Sequence, residues 1–331
     1  MRAWIVPTGC KGVDELRLRE RPDPPAGPHD VVVRVRATSL NYRDQAVVAG
    51  QYFGGAVSRD TVPLSDGAGD VLSVGSAVSR VKPGDRVAAT FFQPGTPPAA
   101  LGSPLDGMLA EHVVVSEDGL VTIPDHLTYE EAACLPCAGV TAWHALFRAG
   151  RSVKAGDIVL VLGTGGVSVA ALQLARAAGA RVIATSSSDE KGARATALGA
   201  SDVVNYRRTP EWEQEVRRLT SGRGVDCVVE IGGAGTLARS MRSLGRSGKI
   251  ALIGFLAGRD GDTNPTPLMM TGSSLHGIFV GDRDMFEEMN RALIVNRIRP
   301  LVDRVFPFEE APAAYHYQAS RAFVGKIVVT V

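Results

Sequence analysis

A glycine-rich turn in the middle of the chain carries the residue types and spacing that point most directly to chemistry. The aliphatic run 158–162 leads into this turn, and a helix-like segment and a second aliphatic run, 181–185, follow it. The turn itself contains Gly163, Gly165 and Gly166. Strand, tight turn, helix and strand in this order are typical of a βαβ unit that binds a dinucleotide. Because bound dinucleotides usually serve hydride transfer, the sequence predicts an oxidoreductase.

The spacing within the turn follows a G-x-G-x-x-G pattern with one departure. Gly163 allows the tight turn, and Gly165 allows the backbone to approach a pyrophosphate. The third position holds Ser168, which is small enough for a helix to pack against a strand. A purely structural turn is the alternative, but the strand before it and the helix after it favour a nucleotide site.

The residues after the second strand bear on the choice of cofactor. NAD-preferring sites place a carboxylate here, whereas this chain has Ser186 and Ser187 with Lys191 close behind. Hydroxyls and a lysine suit a 2′-phosphate, so we expect NADPH in preference to NADH. Asp189 is the competing candidate, and we expect it at a helix N-cap. A further alternative is that the serines only cap that helix.

The elements around this turn predict a doubly wound parallel sheet, because strands and helices alternate. Before residue 127 the chain is β-rich and predicts a small barrel or bent sheet. A capping box at Thr128 and Glu131 begins two short helices, broken near Pro136. The predicted strands of the parallel sheet are 158–162, 181–185, 202–205, 225–230, 248–253 and 275–280. The predicted helices are 166–178, 189–198, 210–220, 234–244, 283–296 and 311–319.

Composition narrows the class of protein. The chain has 331 residues, a net charge of +1 and four cysteines. Nucleic acid is not an expected partner, because phosphate binding needs clustered basic charge. The cysteines predict no disulfide framework, and the N-terminus lacks the apolar run of a signal peptide, so we expect a cytoplasmic protein. The uncharged run 158–175 contains turn residues, so we expect no membrane segment.

The chain resembles the medium-chain dehydrogenases/reductases over nearly its whole length. The resemblance implies an α/β fold, with a GroES-like β-rich catalytic domain at 1–123 and 282–331. The Rossmann dinucleotide-binding domain would be 124–281. The segments that carry the resemblance are 39–44 (SLNYRD), 63–87, 110–115 (AEHVVV), 135–143 (LPCAGVTAW), the glycine turn, 248–254 (GKIALIG) and 325–329 (GKIVV).

The zinc positions of that family are where the chain departs from it. Zinc-dependent members hold a catalytic zinc with Cys, His and a further Cys or acidic residue. Here Ser65 replaces the histidine, the stretch 41–44 has no cysteine, and Cys137 alone matches a ligand position. The structural-zinc region, 91–107, also lacks cysteine. Because a zinc site needs at least three protein ligands, we predict no zinc. We interpret Cys137 as a small lining residue rather than a nucleophile.

Without a metal, the chain is similar to the zinc-free quinone oxidoreductase and enone reductase branch. We therefore expect hydride transfer from NADPH to quinones or to α,β-unsaturated or otherwise activated carbonyls. Alternatives are an alcohol dehydrogenase or a dedicated biosynthetic reductase of the same superfamily, and a non-catalytic NADPH-binding sensor.

Polar groups must then stabilise the negative charge that develops on the acceptor oxygen. Asn41 and Tyr42 are the candidate catalytic residues, because an amide can orient the acceptor and a phenol can donate a proton. Their alternative roles are a turn residue and a packing aromatic. The expected walls of the substrate pocket are Tyr42, Tyr52, Phe53, Phe92 and Cys137.

The resemblance also implies further contacts and a partner. We expect a small-molecule substrate and a homodimer joined through the strand 274–280, with no membrane or nucleic-acid partner. Besides the glycines, serines and lysine named above, the implied cofactor-binding residues are Thr141, Val167, Tyr206, Gly254, Phe255 and Phe279.

Overall fold

A computed structural model describes residues 1–261 and 264–331. The chain divides into two compact units, which are described separately. Unit 1 is Met1–Val140 with Gly281–Val331, and unit 2 is Thr141–Val280.

The chain begins with a β-rich part, residues 2–122, and continues with a part in which strands and helices alternate. The strands are β1 (Arg2–Ile5), β2 (Arg17–Glu20), β3 (Asp30–Ser39), β4 (Asp66–Val74), β5 (Arg86–Ala89), β6 (Phe92–Gln93), β7 (Ala99–Ala100), β8 (His112–Ser116), β9 (Leu120–Thr122), β10 (Ile158–Val161), β11 (Arg181–Ser186), β12 (Asp202–Asn205), β13 (Val225–Glu230), β14 (Leu244–Leu252), β15 (Ser274–Gly277), β16 (Val302–Pro307) and β17 (Lys326–Thr330). The α-helices are α1 (Tyr42–Val48), α2 (Tyr129–Ala132), α3 (Val140–Trp143), α4 (Gly166–Ala177), α5 (Asp189–Ala197), α6 (Trp212–Leu219), α7 (Ala234–Ser243), α8 (Thr266–Thr271), α9 (Arg283–Asn296) and α10 (Ala311–Ala319). Short 3₁₀ helices lie at Val13–Glu15, Glu117–Gly119 and Phe308–Glu310, and π-helical turns at Leu135–Gly139 and His144–Arg148.

Unit 1 is built on a mixed sheet in the order β16-β17-β3-β4-β5-β9, with β8 also pairing β3. Val31, Val33 and Val35 alternate along β3 and are buried, as a strand with one face on the core requires. β17 runs antiparallel to β3, with Val328 opposite Ser39. This register brings the start of β17 next to the residues that follow β3.

Unit 2 is a parallel sheet in the order β12-β11-β10-β13-β14-β15. All four residues of β10 are buried, as expected for a strand covered on both faces. Counted from β10, the strand order is 3-2-1-4-5-6, which places the switch point between β10 and β13. The predicted doubly wound parallel sheet is confirmed.

The structure confirms some local predictions and corrects others. The two short helices predicted around Pro136 are present as α2 and α3, and a π-helical turn that contains the proline lies between them. The strand predicted at 275–280 ends at Gly277, and β14 begins at Leu244 rather than 248. The capping box at Thr128 and Glu131 is present as predicted.

The boundary between the units falls at Val140, later than the 123/124 boundary inferred from the resemblance. The reason is packing, because α2 contacts β3 and β4, and the turn Leu135–Gly139 contacts β4 and α9. In residues 1–261 and 264–331, no helix is both long and apolar enough to cross a membrane.

Candidate active site

The glycine turn of unit 2 lies between β10 and α4. Gly163 has φ +72°, a left-handed conformation that strongly favours glycine. Its backbone N–H donates to the Thr185 hydroxyl at 3.0 Å, which ties the turn to β11. The predicted tight turn is therefore present where β10 ends.

Gly165 forms the N-cap of α4, and neither its backbone conformation nor its packing explains why a glycine is found there. Its φ of −78° suits any residue, so backbone conformation does not require glycine there. A Cβ built on Gly165 would meet no heavy atom within 4 Å in the described part of the chain, so packing does not require it either. Its missing side chain instead leaves open space in front of a helix N-terminus, where N–H groups bind phosphate. Gly165 therefore fits a pyrophosphate.

The first turn of α4 completes this feature. Gly166 and Val167 are the first two helical residues. Ser168 is buried, and its hydroxyl donates to the Leu162 carbonyl at 2.7 Å. The serine at the third position is thus satisfied within the chain, and it leaves the phosphate-facing end of the helix clear.

The predicted 2′-phosphate residues come together at the ends of β11 and β12. Ser186 is the last residue of β11, and its carbonyl accepts a hydrogen bond from Tyr206 N–H at 3.0 Å. Ser188 caps α5 by accepting from the Lys191 N–H at 3.3 Å, so Lys191 lies in the first turn of that helix. Ser187 lies between the strand and the cap.

Asp189 is not the helix cap that the sequence predicted. It is the first residue of α5, one position after Ser188. Its carboxylate accepts hydrogen bonds from Asn205 Nδ2 at 2.9 Å and from the Arg208 guanidinium. A carboxylate engaged in this way is less suited to bind the ribose hydroxyls of NADH. Arg208 adds a positive charge that the sequence analysis missed.

A buried glutamate, Glu230, holds the loop that follows β13, the strand next to β10 at the switch point. Glu230 ends β13, and its carboxylate accepts from Gly232 N–H at 2.7 Å, Gly233 N–H at 3.1 Å and Thr236 Oγ1 at 2.6 Å. Ser240 donates to its second oxygen. Four donors hold this loop in one shape. The signal in the sequence is a glutamate that ends an aliphatic run and precedes two glycines.

The remaining predicted cofactor residues occupy three kinds of position. Gly254 follows β14, and its N–H donates to the Glu230 carbonyl at 3.3 Å. Phe255 is next, with the Arg259 guanidinium 4.2 Å from its ring centroid. Phe279 follows β15 rather than lying in it, and it is 56% exposed. Thr141, in α3, is buried.

Unit 1 places both predicted catalytic residues at the start of α1. Asn41 is the N-cap and is partly exposed, whereas Tyr42 begins the helix and is 49% exposed. The Asn41 N–H donates to the Asp44 carboxylate at 2.6 Å. Burial raises the pKa of the Asp44 carboxyl to about 6. The hydrogen bond from the Asn41 N–H to the Asp44 carboxylate fixes the backbone between the end of β3 and the start of α1.

A lysine that the sequence analysis missed lies beside Asn41. The Lys326 ammonium is buried at the start of β17 and donates to the Leu40 carbonyl at 2.7 Å and to Asn41 Oδ1 at 2.6 Å. Asp66 Oδ2 lies 3.6 Å from the same nitrogen. The signal was a lysine at the beginning of an aliphatic final strand.

The Asp66 carboxylate is also bonded on its other sides. Ser65 Oγ donates to Asp66 Oδ1 at 2.9 Å, and the Cys137 N–H donates to Oδ2 at 3.1 Å. Asn41 Nδ2 lies 3.4 Å from Ser65 Oγ. Asn41, Ser65, Asp66, Cys137 and Lys326 thus form one connected polar group, which we call the Lys326 cluster.

The donor set of the Lys326 cluster does not fit zinc. Tetrahedral zinc sites need three protein ligands from Cys, His and carboxylate, and within the described ranges no group of three or more such residues is placed to hold a metal. Burial, and then the Asp66 carboxylate, raise the pKa of the Cys137 thiol far above its ordinary value, so without a metal it is a neutral thiol. The Asp66 carboxylate already faces the ammonium of Lys326.

Comparison with known proteins assigns the family. Residues 27–125 match the alcohol dehydrogenase GroES-like domain, and residues 166–294 match the zinc-binding dehydrogenase family. A zinc-type alcohol dehydrogenase-like protein of Schizosaccharomyces pombe is 41% identical over 99% of each chain. The chain belongs to the medium-chain dehydrogenase/reductase superfamily. This dehydrogenase/reductase is an NAD(P)-dependent oxidoreductase, with a GroES-like β domain in unit 1 and a Rossmann sheet in unit 2.

Solved structures agree with this assignment. A candidate alcohol dehydrogenase of Sinorhizobium meliloti is 39% identical with a TM-score of 0.89, and each chain is covered completely. An NAD-dependent alcohol dehydrogenase is 33% identical with a TM-score of 0.92, again with complete coverage of both chains. Quinone oxidoreductases are more distant; the one from Sus scrofa is 29% identical over 91% of this chain and 89% of its own.

Proposed function

We propose that this dehydrogenase/reductase reduces activated carbonyl compounds (quinones, enones or aldehydes) with NADPH and without a catalytic zinc. The observation that carries the proposal is the Lys326 cluster, where a buried ammonium faces the carboxylate of Asp66. A positive charge beside the only carboxylate of the cluster opposes a metal ion. Carbonyls that already spread negative charge by conjugation need least help from a metal.

NADPH is the proposed cofactor because of the side chains after β11 and β12. Ser187, Lys191 and Tyr206 would surround the 2′-phosphate, and the glycine turn would hold the pyrophosphate. The predicted Ser186 hydroxyl is buried and donates to the Ser188 carbonyl at 2.8 Å, so Ser186 would shape this turn rather than contact the phosphate. Thr141, Val167, Gly254, Phe255 and Phe279 remain proposed contacts of the nicotinamide half. When bound, the dinucleotide supplies the hydride.

Unit 1 would act on the acceptor. The Asn41 amide would donate a hydrogen bond to the acceptor oxygen, and the exposed Tyr42 hydroxyl would provide its proton. Hydrogen-bond donors placed where negative charge develops are usually the largest single contribution to such catalysis. Asn41 and Tyr42 therefore do the work that a Lewis acid does in zinc enzymes.

An alcohol dehydrogenase is the second candidate, and the names of the most similar relatives favour it over the quinone or enone reductase predicted first. Those names also include a zinc-type protein, so metal content is part of the test. Two further candidates are a dedicated biosynthetic reductase and a non-catalytic NADPH sensor. Both would use the same nucleotide site, but only the reductase would turn over a substrate.

The experiment measures zinc in the purified protein by mass spectrometry, then titrates it with NADPH and NADH. NADPH consumption is followed with 9,10-phenanthrenequinone, an enone and an aldehyde, and NADP⁺ reduction with primary and secondary alcohols. Zinc-free protein that turns over the carbonyl acceptors supports the proposal. Stoichiometric zinc with alcohol oxidation supports the alcohol dehydrogenase, and tight NADPH binding without turnover supports the sensor or a dedicated substrate.

We also propose a homodimer in which two copies pair through β15. In the part of the chain that the structure describes, β15 pairs only with β14 and forms an edge of the unit 2 sheet. Leu275 on this strand and Met269 and Met270 on α8 are exposed apolar side chains. An exposed strand edge with apolar neighbours is suited to antiparallel pairing with a second copy.

A further inference from the structure

The Asn41 amide is held in one orientation by Lys326. An ammonium has three donors and no acceptor, so it can face only the oxygen end of an amide. The 2.6 Å hydrogen bond from Lys326 Nζ to Asn41 Oδ1 therefore fixes Nδ2 as the opposite end. The Asp44 backbone N–H also faces this side chain in a capping box, and as a donor it favours the same orientation of the amide.

The free capacity of this amide lies on Nδ2. Its bond to Ser65 Oγ is long, at 3.4 Å, and one amide nitrogen carries two N–H groups. Within residues 1–261 and 264–331, no second partner of Nδ2 is present, and Asn41 is partly exposed. The group that remains available to a ligand is thus a donor, which is what an acceptor oxygen needs.

The Lys326 ammonium itself is poorly placed to touch a ligand. Its side chain is 6% exposed, and two of its N–H groups are bonded to Leu40 and Asn41. Its charge can still act through the amide, because a charge-assisted hydrogen bond at Oδ1 polarises the amide and strengthens its N–H donors. Lys326 is therefore a positioning residue rather than a catalytic one.

A second buried lysine shows what a purely structural arrangement looks like. Lys249 donates to the carbonyls of Leu146 and Ala149, at 3.0 and 2.7 Å. In the described residues it has neither a side-chain amide nor a carboxylate partner, whereas Lys326 has both. Lys249 is the matched control for burial and for lost main-chain hydrogen bonds.

We propose that Lys326 orients and polarises the Asn41 amide so that Nδ2 stabilises the negative charge on the acceptor oxygen. This inference rests on the proposed function. As the acceptor gains a hydride from NADPH, which is oxidised to NADP⁺, its π-electron pair moves onto oxygen. Nδ2 would stabilise that oxygen until it takes a proton, for which Tyr42 is the proposed donor. The ammonium thus replaces part of the effect of a metal ion.

The test compares Lys326→Met, Lys326→Arg, Asn41→Asp and the control Lys249→Met, with an aldehyde, an enone and 9,10-phenanthrenequinone. Removing one oxyanion donor commonly costs about 10²-fold in kcat. We expect Lys326→Met to lose about 10²-fold in kcat with the aldehyde and under about 5-fold with the quinone, which needs less charge stabilisation. Lys326→Arg keeps the charge and should retain most of the activity. The affinity for NADPH should change little in all four variants.

Asn41→Asp keeps a partner for Lys326 but replaces the Nδ2 donor by an acceptor oxygen. It therefore tests the role of Nδ2 even if Lys326→Met folds poorly. We expect it to show the same graded loss, and the double variant with Lys326→Met to be no worse than either single change. A loss in Lys326→Met that is equal for all acceptors, or equal to that of Lys249→Met, would overturn the inference alone. A wild-type protein that turns over none of the carbonyl acceptors would refute the proposed function and this inference with it.

Discussion

Replacing Gly165 by alanine should separate nucleotide binding from folding. The backbone at Gly165 has an ordinary φ of −78°, and the new methyl group meets no described heavy atom within 4 Å. Alanine is a poorer N-cap than glycine by about 0.5–1 kcal/mol. It also restricts the unfolded chain, which stabilises the fold by about 0.4–1 kcal/mol. The free energy of unfolding should therefore change by less than about 1 kcal/mol.

The effect on nucleotide binding should be larger. The methyl group would stand where a pyrophosphate approaches the first N–H groups of α4. Hydrogen bonds to charged groups contribute about 1.5–3 kcal/mol each, so losing two would cost about 3 kcal/mol or more. That corresponds to at least about a 10²-fold rise in the Kd for NADPH. Fluorescence titration with NADPH and denaturant unfolding measure the two quantities on one sample.

Gly12→Ala is the matched control. Gly12 has an extended backbone with φ −173°, precedes a short 3₁₀ helix, and leaves open space for a Cβ. We expect this variant to bind NADPH like the wild type. If Gly165→Ala also bound NADPH within about threefold of the wild type, the open space at Gly165 would not be the pyrophosphate site, and our argument from the missing Cβ would be wrong.

Three other changes test separate parts of the molecule. Lys191→Ala should raise the Kd for NADPH about 10-fold and leave NADH binding nearly unchanged, because it removes one charged contact to the 2′-phosphate; equal effects on both would refute that role. Burial raises the pKa of Asp44 from 3.8 to about 6, so the folded chain retains a proton that the unfolded chain releases. The contribution of Asp44 to the free energy of unfolding should therefore fall by about 2–3 kcal/mol as the pH rises from about 4 to 6. The difference in unfolding free energy between the wild type and Asp44→Asn, measured with denaturant, should change by that amount over this range, and a difference independent of pH would refute the argument. Leu275→Arg should return the mass of one chain in light scattering where the wild type returns two, because a charge would face its own copy across β15.

Sequence patterns located many of the helices and strands because those patterns are local. An aliphatic run of four residues defines β10, and its glycine turn directly precedes α4. Helix α9 begins and ends at the predicted residues, since Asp282 caps its start with a hydrogen bond to the Met285 N–H. The break expected near Pro136 also has a local cause, because the proline lies in the π-helical turn that separates α2 from α3.

The Lys326 cluster could not be predicted in the same way. Asn41 and Lys326 are 285 residues apart, and they meet only because β17 pairs antiparallel with β3. The sequence identified Asn41 as a candidate donor, but nothing near it predicted the charge that orients its amide. Glu230 was missed because a glutamate at the end of a strand is usually exposed. The four donors that allow its burial become apparent only in the folded structure.

Lys326 and a zinc ion would compete for the Asp66 carboxylate, so the metal content of the protein bears on the proposed role of Lys326. Two unit charges about 4 Å apart interact by about 4 kcal/mol at an effective dielectric constant near 20, and a divalent ion would feel roughly twice that repulsion from an ammonium. The Asp66 carboxylate can therefore neutralise the Lys326 ammonium or help to bind a zinc ion, but it cannot do both well at once. Zinc-free protein in which Lys326→Met shows the graded loss would support both arguments, whereas stoichiometric zinc would refute the zinc-free mechanism.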